Sequence, residues 1–229
     1  MHFLSTGFFG WLLMLEDMPA AAVALRLGAS TTLAHHVLPP LLAEFQRRWP
    51  AVALRVQPAN SALVAAALVR GALDLGFVEG TARAPGLHYE RLLFDELVAV
   101  RGATAAGPPV ASLPLAEALA HPLVLREAGS GTLDVLEAAL QAHGIALASL
   151  PALTYCADTE AIKGLLLAKS GTLGFISRRA LVTELVSGQL EEVPIRGLLL
   201  ARELLAVWRS EPALPEAARQ FLALCRERA

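Results

Sequence analysis

One stretch of the sequence combines residue types that can bind an anion: Glu127-Ala128-Gly129-Ser130-Gly131-Thr132. The apolar run Leu123 to Leu125 before it predicts a short buried strand, and the leucines after it recur with helical spacing. A strand therefore runs into a helix through a glycine-rich turn. Such a turn places Ser130 or Thr132 at the helix N-cap and points unpaired N–H groups into solvent. The turn is typical of a small anion site, although helix capping alone also accounts for it.

Similar turns recur along the chain, each where a predicted strand leads into a predicted helix. One precedes a helix predicted from Leu33 to Trp49, another precedes a helix from Ala62 to Arg70, and a third starts a helix that ends near Ala168. Their polar residues are Ser30, Thr31 and Thr32, then Asn60 and Ser61, then Asp158 and Thr159. Together with Gly129, Ser130, Gly131 and Thr132 they form the candidate ligand-binding set.

Arg126 is the cation nearest to the glycine-rich turn. It either pairs with an anionic ligand or is balanced by solvent and its neighbour Glu127. Catalysis is not expected, because no nucleophile with a base and no metal cluster is evident. His35 and His36 are adjacent on a predicted helix, point to different faces and make a poor metal site. We predict no catalytic residue, no metal and no cofactor.

The chain has 229 residues, and its composition predicts a soluble α/β protein. Its net charge of −2 excludes a dominant basic surface for binding DNA. Cys156 and Cys225 lie in apolar contexts with neither metal nor disulfide spacing, so both are expected in the core of a cytoplasmic protein. Residues 1–22 form a segment of uncertain role. Their apolar run is too short to cross a bilayer and lacks a basic start, which leaves a mis-started segment, a linker helix or a signal peptide.

The order of predicted elements indicates two α/β lobes joined by two crossing strands. The first lobe comprises residues 23–101 and 203–229, and the second comprises residues 102–202. Residues 87–101 are predicted as two strand pieces, and a Gly/Ala/Pro-rich break at 102–109 marks the boundary. A closing strand from Leu204 to Trp208 and a helix from Pro215 to Arg228 return the chain to the first lobe.

Four segments taken in order resemble the effector-binding, or substrate-binding, domain of LysR-type transcriptional regulators. They read GASTTLAHHVLPPLLAEFQRRWPAVALRVQPANSALVAAALVRGALDLGFVEG, LHYERLLFDELVAV, HPLVLREAGSGT and DTEAIKGLLLAKSGTLGFIS, and with the closing strand and helix the resemblance covers about residues 23–228. It implies a type 2 periplasmic-binding-protein-like fold with two Rossmann-like lobes and a small molecule in the cleft between them. It also carries the family's ligand-contacting turns onto the hydroxyl-bearing turns named above. The sequence departs from the family pattern in two places. Leu133 stands where family members often have Arg, and the turn at residues 168–174 differs from the usual one.

The resemblance implies the partners as well. We expect a small anionic effector, an antiparallel side-by-side homodimer that uses the helix from Leu33 to Trp49, no membrane, and DNA contact only through a winged helix-turn-helix domain that this sequence lacks. The effector itself stays open among sulfate, aromatic acids, amino acids and dicarboxylates. The alternative function is an extracytoplasmic solute-binding protein of a transporter, which requires residues 1–22 to be an export signal.

Overall fold

A computed structural model of the chain describes residues 24–103 and 112–228. The predictions for residues 1–22, and for residues 104–109 of the break between the lobes, fall outside these ranges. The strands are β1 Ala24–Ala29, β2 Ala53–Pro58, β3 Leu75–Glu79, β4 Leu87–Gly102, β5 Leu113–Pro114, β6 Leu123–Arg126, β7 Leu153–Cys156, β8 Leu173–Ser177, β9 Leu190–Glu192, β10 Ile195–Arg196 and β11 Leu200–Arg209. The helices are α1 Thr31–His36, α2 Leu38–Arg48, α3 Ser61–Val69, α4 Leu115–Ala120, α5 Gly131–Ala142, α6 Thr159–Ala168, α7 Val182–Val186 and α8 Glu216–Arg228.

One mixed sheet runs through both halves of the molecule in the order β2-β1-β3-β11-β4-β8-β6-β7, with β9 also paired to β4. β1, β2 and β3 are parallel, as are β6, β7 and β8. β4 and β11 pair with each other in antiparallel fashion at the centre. The mixed α/β fold with two crossing strands is the predicted one.

Apolar packing divides along these two central strands. One cluster surrounds Phe45, Phe77 and Phe221, and it joins α8 to the sheet of β1 and β3. Another surrounds Leu136 and Phe175 beneath α5. We call the part built on β1 to β3 and α8 the first lobe, and the part built on β6 to β8 the second lobe.

The helix predicted from Leu33 to Trp49 is two helices, because the chain breaks at Val37 between α1 and α2. Pro39 and Pro40 have no N–H to donate to the preceding turn, so a continuous helix through them would lose two hydrogen bonds. Proline is tolerated in the first turn, where α2 places both residues. The single-helix prediction was therefore wrong at this point.

The two strand pieces predicted over residues 87–101 are one strand, β4, which spans 16 residues. Its pairing with β11 shifts register between Leu204 and Leu205, so an irregularity is accommodated without a break. β11 in turn starts at Leu200 rather than at Leu204. Charged residues at its start hid this portion, because they interrupt the apolar pattern by which strands are recognised. Neither described range contains a helix that is long and apolar enough to cross a bilayer.

Candidate functional site

The first-lobe turn follows β1 directly. The N–H of Ser30 donates to the Phe77 carbonyl over 2.8 Å, which holds the end of β1 against β3. The Ser30 hydroxyl caps α1 by accepting from the Leu33 N–H over 3.4 Å. Thr31 and Thr32 then fall in the first turn of α1, where their side chains lie next to the carboxyl end of the sheet.

The glycine-rich turn of the second lobe has the predicted cap. Gly129 adopts φ +84°, a left-handed conformation that favours glycine, and Ser130 caps α5 by accepting from the Thr132 N–H over 3.2 Å. Ser130, Gly131 and Thr132 are all buried. The expectation that this turn faces solvent was therefore wrong, because the first lobe covers it.

The two lobes touch through these turns. The N–H of Ala62, at the start of α3, donates to the Gly129 carbonyl over 3.1 Å, and the Asn60 side-chain amide donates to the Ala128 carbonyl over 3.4 Å. Gly80 lies against Gly131 so closely that a Cβ on Gly80 would be 2.8 Å from the Gly131 Cα. The turns selected from the sequence are thus brought together from both lobes.

Arg202 of β11 lies at the centre of this contact. Its side chain is 1% exposed, and its Nε donates to Asp95 over 2.7 Å. Its Nη1 lies 3.2 Å from Glu79 Oε1 and donates to the Thr132 hydroxyl over 2.9 Å. One guanidinium therefore links both central strands, the end of β3 and the second-lobe turn.

The two carboxylates around Arg202 are held by hydroxyls. Ser30 donates a short hydrogen bond to Glu79 Oε2, and Thr32 donates to Glu79 Oε1 over 3.3 Å. The Glu79 N–H in turn donates to the Ser61 hydroxyl over 3.3 Å. Asp95 accepts from Ser177 over 2.8 Å. Two of the hydroxyls that the sequence suggested for a ligand, those of Ser30 and Thr32, thus bind a carboxylate of the chain itself.

Arg126 is buried beside the same turns. It forms a two-point ion pair with Glu127, at 2.9 and 3.1 Å, which is the internal balance considered above. It also donates to the Thr31 hydroxyl over 2.9 Å and to the Ala157 carbonyl over 3.1 Å. Arg126 therefore bridges the first-lobe turn and the segment that leads into α6.

The third turn lies at the edge of this arrangement. Asp158 caps α6 by accepting from the Ala161 N–H over 2.7 Å, and Thr159 is buried in the first turn. The segment reaches the other turns through the bond from Arg126 to Ala157. Burial and the nearby Asp158 charge raise the pKa of the Cys156 thiol, so this cysteine is not an activated nucleophile.

Four residues of the site were not on the sequence-derived list: Glu79, Asp95, Ser177 and Arg202. One signal could have found Arg202, since alternation along β11 places it on the same side as the buried residues Leu204 and Ala206. A charged residue on an apolar strand face needs a buried partner. No group of three or more His, Cys, Asp or Glu side chains that could hold a metal ion occurs in residues 24–103 and 112–228.

The family model for the LysR substrate binding domain matches residues 22–229. The chain belongs to this family. The LysR substrate-binding domain is a regulatory, ligand-sensing module, and the resemblance inferred from the sequence is confirmed.

Two curated relatives have names from different functional classes, a transcriptional regulator and an ATP-binding import protein. The chain is 31% identical over 204 residues to the uncharacterised HTH-type transcriptional regulator YeiE of Escherichia coli K12, covering 88% of this chain and 67% of the relative. It is 37% identical over 211 residues to the phosphonates import ATP-binding protein PhnC of Anaeromyxobacter dehalogenans, covering 92% of this chain. The chain spans only 42% of that relative's length.

Solved structures support the fold. The regulatory domain of CcmR from Synechocystis, in complex with 2-PG, aligns with a TM-score of 0.74 at 22% identity, over 89% of this chain and 96% of that chain. A phosphate transporter substrate-binding protein of Clostridium perfringens with bound phosphate aligns with a TM-score of 0.72 at 18% identity, over 88% and 92%. LysR substrate-binding domains and type 2 periplasmic binding proteins thus share the fold of this chain.

Proposed function

We propose that this LysR substrate-binding domain senses a small anion that binds between its two lobes, on the hydroxyls and the guanidinium that converge there. In this proposal the domain is not an enzyme. It controls a regulator whose DNA contacts come from a winged helix-turn-helix domain outside the sequence described here, and it acts in the cytoplasm.

A single observation carries the proposal: the convergent groups already hold a carboxylate. Ser30, Thr32 and Arg202 surround the Glu79 carboxylate at a place where Thr132 from the other lobe also reaches Arg202. Groups arranged to satisfy one oxyanion suit another of similar size, because the hydroxyl and guanidinium donors do not distinguish its source. Because groups from both lobes contribute, occupancy affects how the lobes contact each other.

The comparisons favour oxyanions as the ligand class. The Clostridium perfringens protein of the same fold holds phosphate, and the CcmR domain is described in complex with 2-PG. The PhnC relative is named for phosphonate import. These are properties of those proteins, and for this chain they make sulfate, phosphate, methylphosphonate and acetate the first probes.

The test is a thermal-shift series with these four anions at matched ionic strength, on the wild-type chain and on Thr32→Val, which removes one hydroxyl donor of the site. A ligand that binds only the folded state raises the unfolding midpoint by mass action. We expect at least one anion to raise the midpoint of the wild type and to do so less for Thr32→Val. Thr154→Val, an exposed change on β7, is the matched control. The absence of any shift with all four anions contradicts the proposal.

A homodimer is part of the proposal, with α1 and α2 on one face of the interface. Pro39 and Pro40 are exposed there, whereas Leu38 is buried in the core of the first lobe. In the second lobe, exposed apolar side chains include Val182 and Val186 of α7. Sedimentation velocity of the chain across micromolar concentrations tests this point, and a monomer throughout contradicts it.

The alternative is an extracytoplasmic solute-binding protein of a transporter. The phosphate-bound neighbour, a transporter substrate-binding protein of the same fold, favours it. Both readings share the anion site, so ligand binding does not separate them. Cell fractionation with an antibody against the chain does, because a regulator stays with the cytoplasmic fraction and a solute-binding protein leaves with the periplasmic fraction.

A further inference from the structure

Glu79 occupies the place where the proposed ligand would bind. Its carboxylate receives the hydroxyl protons of Ser30 and Thr32 and lies 3.2 Å from Arg202. The Glu79 and Arg202 side chains are each only 1% exposed, so the pair is inside the protein rather than at the cleft rim. The further inference below rests on the proposed function of this same site.

The charges around Arg202 would repel an added anion. Glu79 and Asp95 bring two negative charges, and Arg202 brings one positive charge, to the buried cluster. Arg179 lies 3.7 Å from Asp95, but its side chain is 43% exposed and solvent screens its charge. A second anion placed beside Glu79 would therefore meet like charge in a setting of low polarity.

The hydroxyls impose the same restriction. A serine or threonine hydroxyl has one proton to donate, and Ser30 and Thr32 both give theirs to Glu79. A ligand oxyanion can receive these protons only if the Glu79 carboxylate releases them. An anion must therefore replace Glu79 and cannot bind next to it.

Space exists for the carboxylate to leave. A cavity of about 430 Å³ is lined by Ser61, Glu79 and Arg83, and a second cavity of about 440 Å³ is lined by Gly80, Arg83 and Arg202. Arg83 borders both cavities and contacts the Tyr89 ring face. A displaced Glu79 side chain thus has open volume and a cation beside its present position.

We infer that Glu79 is a tethered competitor of the effector, and that a small oxyanion binds by displacing its carboxylate from Ser30, Thr32 and Arg202. Glu79 then sets both affinity and ligand class. Ligands must be compact and carry oxygens that match a carboxylate, and neutral ligands do not compete for the guanidinium. Displacement also removes the ion pair between β3 and β11, and because the same guanidinium donates to Thr132 of the second lobe, occupancy affects the contact between the lobes.

The experiment is isothermal titration of sulfate and acetate into the wild-type chain, Glu79→Gln and the matched control Glu216→Gln. Glu79→Gln keeps the shape of the side chain and removes its charge, while Arg202 keeps Asp95 as a partner. Glu216 pairs with Arg219 at the exposed start of α8 and borders neither cavity. We expect Glu79→Gln to bind sulfate about tenfold more tightly than wild type, and Glu216→Gln to match wild type.

Two further variants locate the effect. Glu79→Asp keeps the charge but shortens its reach, so it should bind with intermediate affinity, and it serves in place of Glu79→Gln if that variant does not fold. Adding Thr32→Val to Glu79→Gln should reduce the gain, because Thr32 is one of the hydroxyl donors that Glu79 releases. Equal or weaker binding by both Glu79 variants, with wild type still binding, overturns the inference and leaves the anion site intact. No binding of any probed anion by any variant overturns the anion site as well.

Discussion

Arg202 and Asp95 stand directly opposite each other on the two central antiparallel strands, and their side chains form a buried ion pair at 2.7 Å. The same guanidinium reaches Glu79 and Thr132, which belong to different lobes. The pair therefore anchors the cluster at the strands that both lobes share. A change at Arg202 therefore affects both lobes, because its guanidinium contacts side chains from each of them.

Replacing Arg202 with methionine should be strongly destabilising. The variant leaves Glu79 and Asp95 buried without the cation between them, and breaking a buried ion pair from one side costs about 3–5 kcal/mol. Urea unfolding monitored by tryptophan fluorescence measures the loss. Arg91→Met removes an ion pair whose partners are both substantially exposed, and it should change stability by only about 0–1 kcal/mol. Equal effects of the two substitutions would contradict the central role of Arg202.

Gly131→Ala should separate the lobes. A Cβ at this position would collide with the backbone carbonyl of Glu79 and with its Cγ, so the turn cannot stay against β3. We expect a lower unfolding midpoint and a larger radius of gyration in solution scattering. Gly164→Ala is the matched control, because a Cβ there meets nothing within 4 Å.

The control substitution should have the opposite sign. Gly164 lies inside α6, where alanine is favoured over glycine by roughly 0.8–1 kcal/mol. Gly164→Ala should therefore raise the midpoint without changing the radius of gyration. A Gly131→Ala variant as stable and as compact as wild type would show that the close contact at Glu79 is not needed.

The stability of the fold should fall on mild acidification through His36. Burial and the nearby charges of Lys163 and His35 lower the pKa of His36, while Glu160 and Glu184 oppose them. The unfolded chain then takes up a proton near its ordinary pKa of about 6.5, before the folded protein does. Stability is lost as pH falls from about 6.5 until the lower folded-state pKa is passed.

Urea midpoints of wild type and His36→Gln between neutral and mildly acidic pH check this linkage. The variant should lose less stability than wild type over that interval. A His36→Gln variant with the full wild-type slope would assign the pH dependence elsewhere.

The thiol of Cys225 should not react in the folded protein. Burial on the inward face of α8 raises the pKa of Cys225 to about 12, so almost no thiolate forms near neutral pH. Titration with a chromogenic disulfide should show Cys225 unreactive in buffer and reactive in urea, with Cys225→Ala as the reference. Rapid reaction in buffer would mean that α8 opens from the first lobe.

The sequence was sufficient for the lobes and for the turns, because alternation, helical spacing and N-cap residues are local signals. Ser130 and Asn60 cap the helices at or next to the predicted starts, and Asp158 does the same. The sequence was not sufficient to predict which side chains the turns bind. Glu79 and Arg202 are far apart in sequence, and only the pairing of β3 with β11 brings them together.

The same reason explains what the sequence left open at the predicted site. The turn at Ser130 to Thr132 was expected to face solvent, because a sequence does not reveal which surface covers a helix start. From the sequence, Arg126 could pair either with a ligand or with Glu127. In the structure it pairs with Glu127. Whether these residues also bind an effector stays a prediction.

A crystal structure of the wild-type chain grown with saturating sulfate tests the central claim most directly. The account predicts a sulfate bonded to Arg202, Ser30 and Thr32, with the Glu79 carboxylate moved away from them. A Glu79 carboxylate still bound to Ser30 and Arg202 at saturating sulfate, with the anion elsewhere or not bound, would contradict both the displacement and the site.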